Sequence, residues 1–315
     1  MRINMTVDVI IPTYKPDENF IKLLDKLNKQ TVKPAHIIVM NTEESYLDNL
    51  FLGKRYDPSE DNVEIHHLSK REFDHGATRN AGVRHSNAEY FIMMTQDAMP
   101  ADDVMIEELL KPFEDKEVAV SYARQLAREG AGSIERMTRA FNYPAKSRIK
   151  TKADKEKLQI KTYFASNVCC AYRRETFDEL KGFVHPAIFN EDMIYAARVI
   201  EAGLKVAYRA EAQVIHSHDY SAAQQFRRNF DNGVSHRQYA HVFKDVRAEG
   251  EGKRLVMSVI KRLHKRKEDY LIPGYIWESG CKYLGYKLGE HYDRLPAGLV
   301  MKCTSNKAFF EKRLS

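Results

Sequence analysis

The sequence predicts an α/β protein with a mostly parallel central sheet and a helical C-terminal region. Four short apolar runs in the first hundred residues read as buried strands, and helix-like or polar segments separate them. The runs are continuously apolar rather than alternating, which is typical of parallel strands that are covered on both faces. Each run ends in polar or turn residues. We therefore expect these ends to meet at one edge of the sheet, where open α/β sheets bind ligands.

The four strands lie in residues 1–117, the first half of the expected core domain. They are the segments VDVIIPTY, AHIIVMNT, VEIHHL and EYFIMMTQD. A helix should follow the first strand because Phe20, Leu23, Leu24 and Leu27 recur at positions i, i+3, i+4 and i+7. The segment HGATRNAGVRHS, before the fourth strand, is predicted to be a loop that enters a helix.

The second half of the core domain is predicted at residues 118–221. VAVSYARQ and YFASNVCCAYRRETF read as strands, and NEDMIYAARVIEAG reads as a helix that ends at Gly203. LKVAYRAEAQVIHSHDYS is predicted to form two short strands with a histidine-rich end. Residues 128–158 are polar, glycine-containing and highly charged, so we expect a mobile excursion there. Residues 222–315 are predicted to be helical and basic.

The composition is that of an ordinary globular protein, with 315 residues, 43% hydrophobic and 30% charged. This length suits two domains, or one domain with a large appendage. No apolar run approaches the length of a transmembrane helix. The N-terminal segment MRINMTVDVIIPTYKP lacks the apolar stretch and cleavage site of a signal peptide, which favours a cytoplasmic protein. The four cysteines show no CxxC spacing, so neither a disulfide framework nor a zinc site is expected.

The net charge of +6 originates in the C-terminal region. From Lys244 onward there are 16 Lys/Arg and 9 Asp/Glu, whereas the preceding residues have 34 and 35. Basic residues alternate there with aliphatic and aromatic ones, including the only tryptophan, Trp277. This mixture predicts a helical region that lies on a membrane surface. A packing or homodimer element with a solvated basic face is an equal alternative. No nucleic-acid-binding module is recognised, so no nucleic-acid partner is expected.

Polar residues at the strand ends and in the HGATRN segment supply the groups that a nucleotide-sugar enzyme needs. Asp97, at the tip of the fourth strand, can hold Mg²⁺ or Mn²⁺ through oxygen ligands. The guanidinium of Arg79 can bond phosphate oxygens, unless it is a surface ion-pair partner. Glu43 can accept a hydrogen bond from a pyrimidine N–H, and Asp192 is a candidate general base for an acceptor hydroxyl.

Several of these residues also have a structural interpretation. Asp97 can cap the helix that follows it. Carboxylates such as Glu191 and Asp192 are favourable at the start of a helix whether or not they react. His216 and His218 would alternate along a strand and face opposite sides, so we expect at most one of them to point into a given site.

Taken together, these segments resemble the inverting family-2 glycosyltransferases of the GT-A fold, most closely the bacterial rhamnosyltransferases of cell-wall and O-antigen polysaccharide synthesis. The segments that carry the likeness are VIIPTYKP, HGATRNAG, MMTQDAMP, FNYPAKS, FNEDMIYAARVIEAG, VIHSHDYS and KYLGYKLGEHYDRLP. The likeness covers nearly the whole chain. It implies a Rossmann-like, nucleotide-binding mixed sheet flanked by helices, with a catalytic domain at residues 1–221 and a helical extension at 222–315.

The resemblance implies a set of donor-binding residues. The Asp-x-Asp motif of the family reads Thr95-Gln96-Asp97 here, so the first aspartate, which usually helps to hold the nucleoside, is absent. This absence is compatible with a deoxythymidine donor, which has no 2′-hydroxyl. The nucleotide-sugar-binding residues that the family pattern implies are Pro12, Thr13, Tyr14, Glu43, Arg79, Asn80, Gln96 and Asp97.

The resemblance also implies a metal-dependent, inverting reaction. Asp97 would bind Mn²⁺ or Mg²⁺, with His218 or His216 completing the ligand shell. Asp192 matches the catalytic base, and Glu191 is its neighbour. The implied donor is dTDP-β-L-rhamnose, and the implied acceptor is a growing, undecaprenyl-linked polysaccharide at the cytoplasmic face of the inner membrane.

Two other functions stay open on the sequence alone. One is the same fold with a UDP-sugar donor. The other is a catalytically silent scaffold that binds a nucleotide or a glycan. A dehydrogenase is excluded because no GxGxxG follows the first strand. If the chain is a glycosyltransferase, residues 128–158 are expected to take part in acceptor binding.

Overall fold

The computed structural model describes residues 5–51, 62–246 and 249–314 of the chain. Within these residues, nine strands form one mixed sheet. The strands are β1 Val7–Tyr14, β2 Ile37–Thr42, β3 Val63–Leu68, β4 Tyr90–Met94, β5 Met99–Pro100, β6 Val118–Leu126, β7 Arg148–Lys150, β8 Cys169–Arg173 and β9 Lys205–Ile215. The α-helices are α1 Glu18–Asn28, α2 Glu44–Phe51, α3 His75–His85, α4 Met105–Leu110, α5 Ser133–Asn142, α6 Lys155–Leu158, α7 Arg174–Glu179, α8 Glu191–Glu201, α9 Ala222–Gln238, α10 Ala240–Phe243, α11 Glu249–Lys265, α12 Ile272–Glu290, α13 Ala297–Cys303 and α14 Lys307–Leu314.

The strand order is β3-β2-β1-β4-β8-β6-β9-β5, and β7 pairs with β9 beside this path. The first four strands run parallel to one another, as predicted. β8 lies antiparallel between β4 and β6, and β6 runs parallel to β9. The carboxyl ends of β1, β2, β4, β6 and β9 therefore point to the same end of the sheet. This arrangement brings together residues that are far apart in the chain.

In helix α1, the apolar residues that have helical spacing in the sequence are the ones that pack against the sheet. Asp17 caps the helix by accepting a hydrogen bond from the Asn19 amide at 2.9 Å. The four apolar residues with helical spacing are buried, as predicted: Phe20, Leu23, Leu24 and Leu27. They pack in the hydrophobic core on one face of the sheet, together with Ile11 of β1. The next residue back, Ile10, packs in the core on the opposite face. The sheet is thus covered on both faces, as its continuously apolar strands indicate.

Two segments of the second half differ from the prediction. Residues 205–215 form one long strand, because the register shift at Arg209–Gln213 is a bulge within β9 rather than a break between two strands. Residues 128–158 belong to the fold instead of forming an excursion from it. They contain α5 and the sheet strand β7, and they bury Met137 and Tyr143.

The C-terminal region is helical, as predicted, and packs closely on the rest of the chain. Helices α9 and α12 meet at three glycines, where any side chain would overlap the backbone of the opposite helix: Gly233, Gly285 and Gly289. Helix α11 joins the core domain through a cluster of Met137, Val259, Leu263 and Tyr275. Among the described residues, no helix combines the length and apolarity needed to cross a membrane.

Candidate functional site

One side-chain cluster at the carboxyl end of the sheet could hold a metal ion. Asp97 follows β4, and His216 and His218 follow β9. The Nε2 atoms of His216 and His218 lie 3.5 and 3.4 Å from the Asp97 carboxylate and 2.9 Å from each other. Among the described residues, this is the one group of three potential ligands found within 4.8 Å of one another. The prediction that at most one histidine faces a given site is wrong, because β9 ends at Ile215 and strand alternation no longer applies beyond it.

The chemistry of this cluster fits a divalent transition metal. Burial, followed by the charge of His216, lowers the pKa of His218 to about 4, so its imidazole is neutral and can donate a lone pair. Burial acts to raise the pKa of Asp97, but the hydrogen bond and charge of His216 outweigh burial and lower it. One carboxylate with two imidazoles suits Mn²⁺ better than Mg²⁺, which prefers oxygen ligands alone.

The second part of the site is a pair of adjacent carboxylates at the start of α8. Asn190, in the left-handed conformation with φ of 63°, turns the chain into this helix. The Asp192 carboxylate accepts hydrogen bonds from the backbone amides of Asn167 at 2.9 Å and Met193 at 2.8 Å. Glu191 is buried and accepts from the Asn167 side chain at 3.0 Å and from Arg79 at 3.2 Å. Asn167 therefore fixes both carboxylates at once.

These contacts move the two carboxyl pKa values in opposite directions. Burial, reinforced by the neighbouring charge of Glu191, raises the pKa of Asp192 to about 7. Burial would also raise the pKa of Glu191, but the charges of Arg79 and His75 outweigh it and lower this pKa. Glu191 is therefore the fixed charge, and Asp192 is the group that can exchange a proton near neutral pH.

A series of contacts connects the metal-type cluster, formed by Asp97, His216 and His218, with the carboxylate pair. The His216 Nδ1 lies 3.1 Å from Gln125 Oε1, and Gln125 donates to the Ser166 hydroxyl at 3.0 Å. Ser166 precedes Asn167, whose amide holds Asp192. The metal-type cluster and the carboxylate pair are thus both held by β6 and the segment before β8. Gln125 and Asn167 were not predicted as site residues, because neither stands in a recognisable motif.

The HGATRN segment forms the start of α3, and its polar side chains bind protein rather than solvent. Asn80 donates to the carbonyl of Phe183 and accepts from its amide, at 2.9 and 3.0 Å. Arg79 is buried against Glu191 and also donates to the His75 carbonyl at 3.0 Å. Arg79 and Asn80 were predicted to lie by the diphosphate, and both make these contacts within the protein. The segment instead anchors the loop that delivers Glu191.

The residues predicted to line the nucleotide gather at the ends of β1, β2 and β4. Gln96 holds the backbone of Tyr14 from both sides, accepting from its amide at 2.8 Å and donating to its carbonyl at 3.1 Å. Thr13 is buried and donates to Asn41 at 3.0 Å, while Pro12 is half-buried beside it. Gln96, the middle residue of Thr95-Gln96-Asp97, thus fixes the end of β1, and Thr95 stands at the position of the family's first aspartate.

Glu43 and its surroundings form the outer rim of this region. Glu43 has a positive φ of 66°, and its carboxylate accepts from the amide of Lys70 at 2.5 Å. Tyr14 and Tyr46 meet edge to face at 5.6 Å, and Lys15 lies 5.5 and 5.1 Å from their rings. An exposed pair of aromatic rings with nearby ammonium groups is suited to a base and an anionic group.

A further cation near the cluster was not expected from the sequence. Arg228 of α9 lies 4.8 Å from the ring of Tyr220, which stacks on His218 at 4.6 Å. Among the described residues, no ion pair joins Arg228 to a carboxylate. Its only sequence signal is its position in a basic helix directly after the HSHDYS segment, which is weak evidence by itself.

Comparisons with known proteins agree with this geometry. Residues 8–181 match the family described as Glycosyl transferase family 2. The chain is 41% identical over 308 residues to the O-antigen chain rhamnosyltransferase RfbN of Salmonella typhimurium, covering 97% of this chain and 96% of that protein. It is 38% identical over 305 residues to the O-antigen chain rhamnosyltransferase WbaN of Salmonella anatum, covering 96% and 95%.

Solved structures show the same fold at low sequence identity. A mannosyltransferase from Pyrobaculum calidifontis, in complex with GDP-Man and Mn²⁺, gives a TM-score of 0.57 at 16% identity, over 95% of this chain and 79% of that one. Residues 1–349 of TarS from S. aureus give 0.51 at 14% identity, over 92% and 91%. The family match spans more than half of the chain, and the two relatives span nearly all of it. The chain therefore belongs to glycosyl transferase family 2 and is a glycosyltransferase of the GT-A fold.

Proposed function

We propose that the protein transfers L-rhamnose from dTDP-β-L-rhamnose to a glycan acceptor of O-antigen or another cell-surface polysaccharide, with inversion at the anomeric carbon. The names of the two relatives, similar over almost their full length, support rhamnose as the sugar. The observation that carries the reaction type is Asp192, a partly exposed carboxylate with a pKa of about 7 that is tied to the Asp97 cluster through Gln125 and Asn167.

Asp192 acts as the general base. Its two oxygens are oriented by the amides of Asn167 and Met193, which leaves lone pairs free for the proton of the acceptor hydroxyl. As that proton moves to Asp192, the acceptor oxygen bonds to the anomeric carbon. The bond from this carbon to the phosphate oxygen breaks on the opposite side, and dTDP leaves with the electron pair. Glu191 does not touch the reacting atoms. It is a positioning residue whose fixed charge keeps Asp192 basic.

Asp97, His216 and His218 are the residues that would hold the cofactor, Mn²⁺ in preference to Mg²⁺. When bound, a divalent cation supplies Lewis-acid stabilisation of the diphosphate leaving group. Gln125 orients His216 through its Nδ1, as outer-shell groups do for metal-binding histidines. Arg228, which lies beside Tyr220 and His218, is the cation that we propose for the diphosphate in place of Arg79.

The donor's nucleoside is proposed to lie against Pro12, Thr13, Tyr14 and Glu43. Because Thr95 stands at the position of the family's first aspartate, no carboxylate is available there to bind the ribose. This supports a deoxyribose donor over a ribose one. A UDP-sugar donor would keep the fold and the base but would need another partner for its 2′-hydroxyl.

The C-terminal helices are proposed to rest on the cytoplasmic face of the inner membrane, where an undecaprenyl-linked acceptor is carried. Apolar side chains with more than half of their surface exposed cluster in α11, α12 and the turn between them: Met257, Tyr270, Ile276, Trp277, Tyr283 and Leu284. Many lysines and arginines lie in the same region. Such a mixture favours an anionic membrane surface. A homodimer interface would use the same side chains.

The donor is tested by calorimetry and by turnover. dTDP-rhamnose, UDP-glucose, UDP-galactose and UDP-N-acetylglucosamine are compared with Mn²⁺, with Mg²⁺ and with EDTA. We expect dTDP-rhamnose to bind tightest in Mn²⁺ and to lose this preference in Asp97→Ala. Preference for a UDP-sugar would discard the proposed donor while keeping the reaction type. Donor binding without transfer or hydrolysis would support the scaffold instead.

A further inference from the structure

Two adjoining cavities lie near the junction of the core domain and the C-terminal helices: the first lies between them, and the second lies mostly within the core domain, with Arg254 of α11 at its edge. The first has a volume of about 570 Å³ and the second of about 400 Å³. They share Lys161 and Phe164 as lining residues. Both volumes lie in the range of small-molecule binding sites. The nucleotide-binding residues proposed above line neither of them.

The first cavity lies mainly among helices, and one of its lining residues adjoins the general base in the chain. Met193, which directly follows Asp192, forms part of its wall, and helices α5, α9, α11 and α12 provide most of the rest. The wall is mostly apolar and aromatic, and it includes the rings of Phe164, Tyr275, Tyr283 and Tyr286. The side chains of Asn229 and Asn232 add amide groups to it. Aromatic rings can pack against the C–H faces of a sugar, and amides can bond its hydroxyls.

The second cavity is basic. Five cationic residues line it, and its lining includes no carboxylate: Lys146, Arg148, Lys150, Lys161 and Arg254. Glu251, outside the lining, neutralises Lys161 at 2.7 Å and Arg254 at 2.8 Å. Among the described residues, no ion pair compensates the other three cations. The second cavity therefore attracts an anion.

Lys150 strengthens this conclusion, because it is a buried cation. Its side chain is nearly inaccessible, and its ammonium donates to the carbonyls of Lys161, at 3.2 Å, and Phe164. The ring of Tyr122 lies 4.8 Å away. Burial lowers the pKa of Lys150 to about 7, so an anion in the cavity would favour its protonated form.

The second cavity is separate from the metal-type cluster. Tyr122 lines this cavity, whereas Leu126 of the same strand pairs with Ile215, which precedes His216. Four residues of β6 separate the two points, or about 13 Å along an extended strand. A donor diphosphate held at Asp97 would therefore not reach these lysines, so an anion bound there would belong to another ligand.

Resting on the proposed function, we propose that the paired cavities are the acceptor site: the first binds the sugar end of the glycan acceptor beside Asp192, and the second binds the phosphate or diphosphate through which that acceptor is carried. The alternative occupant of the first cavity is a lipid chain. Asn229 and Asn232, with the base next to Met193, favour a sugar there. The first cavity is thus built largely by the C-terminal helices, whereas residues 128–158 provide most of the lining of the second.

The first cavity is tested by filling it. Gly252 of α11 lines this cavity, and a Cβ there would meet no atom within 4 Å, so Gly252→Trp should fold. Gly250→Trp is the matched control, because Gly250 is equally open on the same helix but does not line the cavity. The probes are phenoxyundecyl diphosphates of galactose, glucose, mannose and N-acetylglucosamine, the uncharged phenoxyundecyl glycosides and the methyl glycosides. Calorimetry gives the Kd of each, and transfer assays give KM.

We expect Gly252→Trp to weaken binding of the best-bound sugar about tenfold or more in all three series, and Gly250→Trp to leave it within about twofold. Donor affinity should not change in either variant. Equal behaviour of the two variants would overturn the assignment of the first cavity. A loss confined to the phenoxyundecyl compounds would show that the cavity holds the lipid chain, which also overturns it.

The second cavity is tested by removing charge. Lys146→Gln/Arg148→Gln should weaken binding of the diphosphate-linked series about tenfold and leave binding of the uncharged series unchanged. The control, Arg84→Gln/Lys116→Gln, removes two exposed cations elsewhere and should change the binding of neither series. Inorganic pyrophosphate, measured in EDTA, should also bind more weakly to Lys146→Gln/Arg148→Gln than to Arg84→Gln/Lys116→Gln. Equal effects on both series, or none, would overturn this assignment. Binding is read without a donor, so failure of dTDP-rhamnose as donor would leave these results interpretable.

Discussion

Glu191 and Asp192 are consecutive residues of one helix, yet their pKa values are displaced in opposite directions. Arg79, buried against Glu191, holds the pKa of that carboxyl low, and the resulting fixed charge adds to burial in raising the pKa of Asp192 to about 7. When two adjacent carboxylates have different environments, one can stay ionised while the other accepts a proton, and here these are Glu191 and Asp192. The following predictions test this division and the elements that support it.

Asp192→Asn should lower kcat by about 10²–10⁴-fold, because it removes the proton acceptor while keeping the size of the side chain and one of the two oxygens that accept from backbone amides. Donor binding, measured by calorimetry, should remain within about twofold, since Asp192 is not assigned to the nucleotide. Glu179→Gln, on the neighbouring helix α7, is a control for loss of an acidic side chain. Wild-type turnover in Asp192→Asn would mean that another group takes the proton.

Arg79→Met should destabilise the protein by about 3–5 kcal/mol, because it leaves Glu191 as an uncompensated buried charge. The double variant Arg79→Met/Glu191→Gln should recover part of this loss, which denaturant unfolding can measure. If Arg79 were instead a free diphosphate ligand, the single variant would keep its stability and lose donor affinity alone.

His216→Ala and His218→Ala should each weaken Mn²⁺ binding about tenfold or more, because each removes one of three potential ligands. Titration of Mn²⁺ by electron paramagnetic resonance measures this without substrate. His264→Ala, at an exposed histidine of α11, is the matched control. Unchanged Mn²⁺ affinity in both site variants would show that the histidines are not ligands.

Gly289→Ala should destabilise the protein by about 1–3 kcal/mol, because the added methyl group would overlap the backbone of Phe230 in α9. Gly280→Ala lies in the same helix, α12, with no atom within 4 Å of its new Cβ. It should stabilise by about 0.5–1 kcal/mol through helix propensity. Similar unfolding free energies for the two variants would contradict the close packing of α9 and α12.

Local sequence pattern predicted those elements whose determinants lie within the element. The spacing of Phe20, Leu23, Leu24 and Leu27 is enough to define α1, and the continuous apolar runs define β1 to β4. The helix that begins with Glu191 follows from apolar spacing, and it ends at Glu201, two residues before Gly203, which has a positive φ. The fold class follows from the order of these elements, whereas the resemblance to the family rests on motif segments such as HGATRNAG and VIHSHDYS.

Predictions failed where the partner is distant in the sequence. Arg79 is paired with Glu191, which lies far along the chain, so its burial could not be seen in the HGATRN segment. His216 and His218 converge because β9 ends at Ile215, before either histidine, so the alternation of a strand does not separate them. The polar composition of residues 128–158 concealed β7, which is stabilised by pairing with β9 rather than by its own apolar pattern.

The most direct test of the base assignment is the pH dependence of kcat in the wild type and in Glu191→Gln. Asp192 must be ionised to accept a proton, and its pKa is about 7, so kcat should rise with pH and level off above neutrality. Because Glu191→Gln removes the charge that helps to raise this pKa, its curve should be displaced to lower pH. A wild-type kcat that is flat between about pH 5.5 and 8.5, or a curve that Glu191→Gln leaves in place, would contradict the role given to this pair.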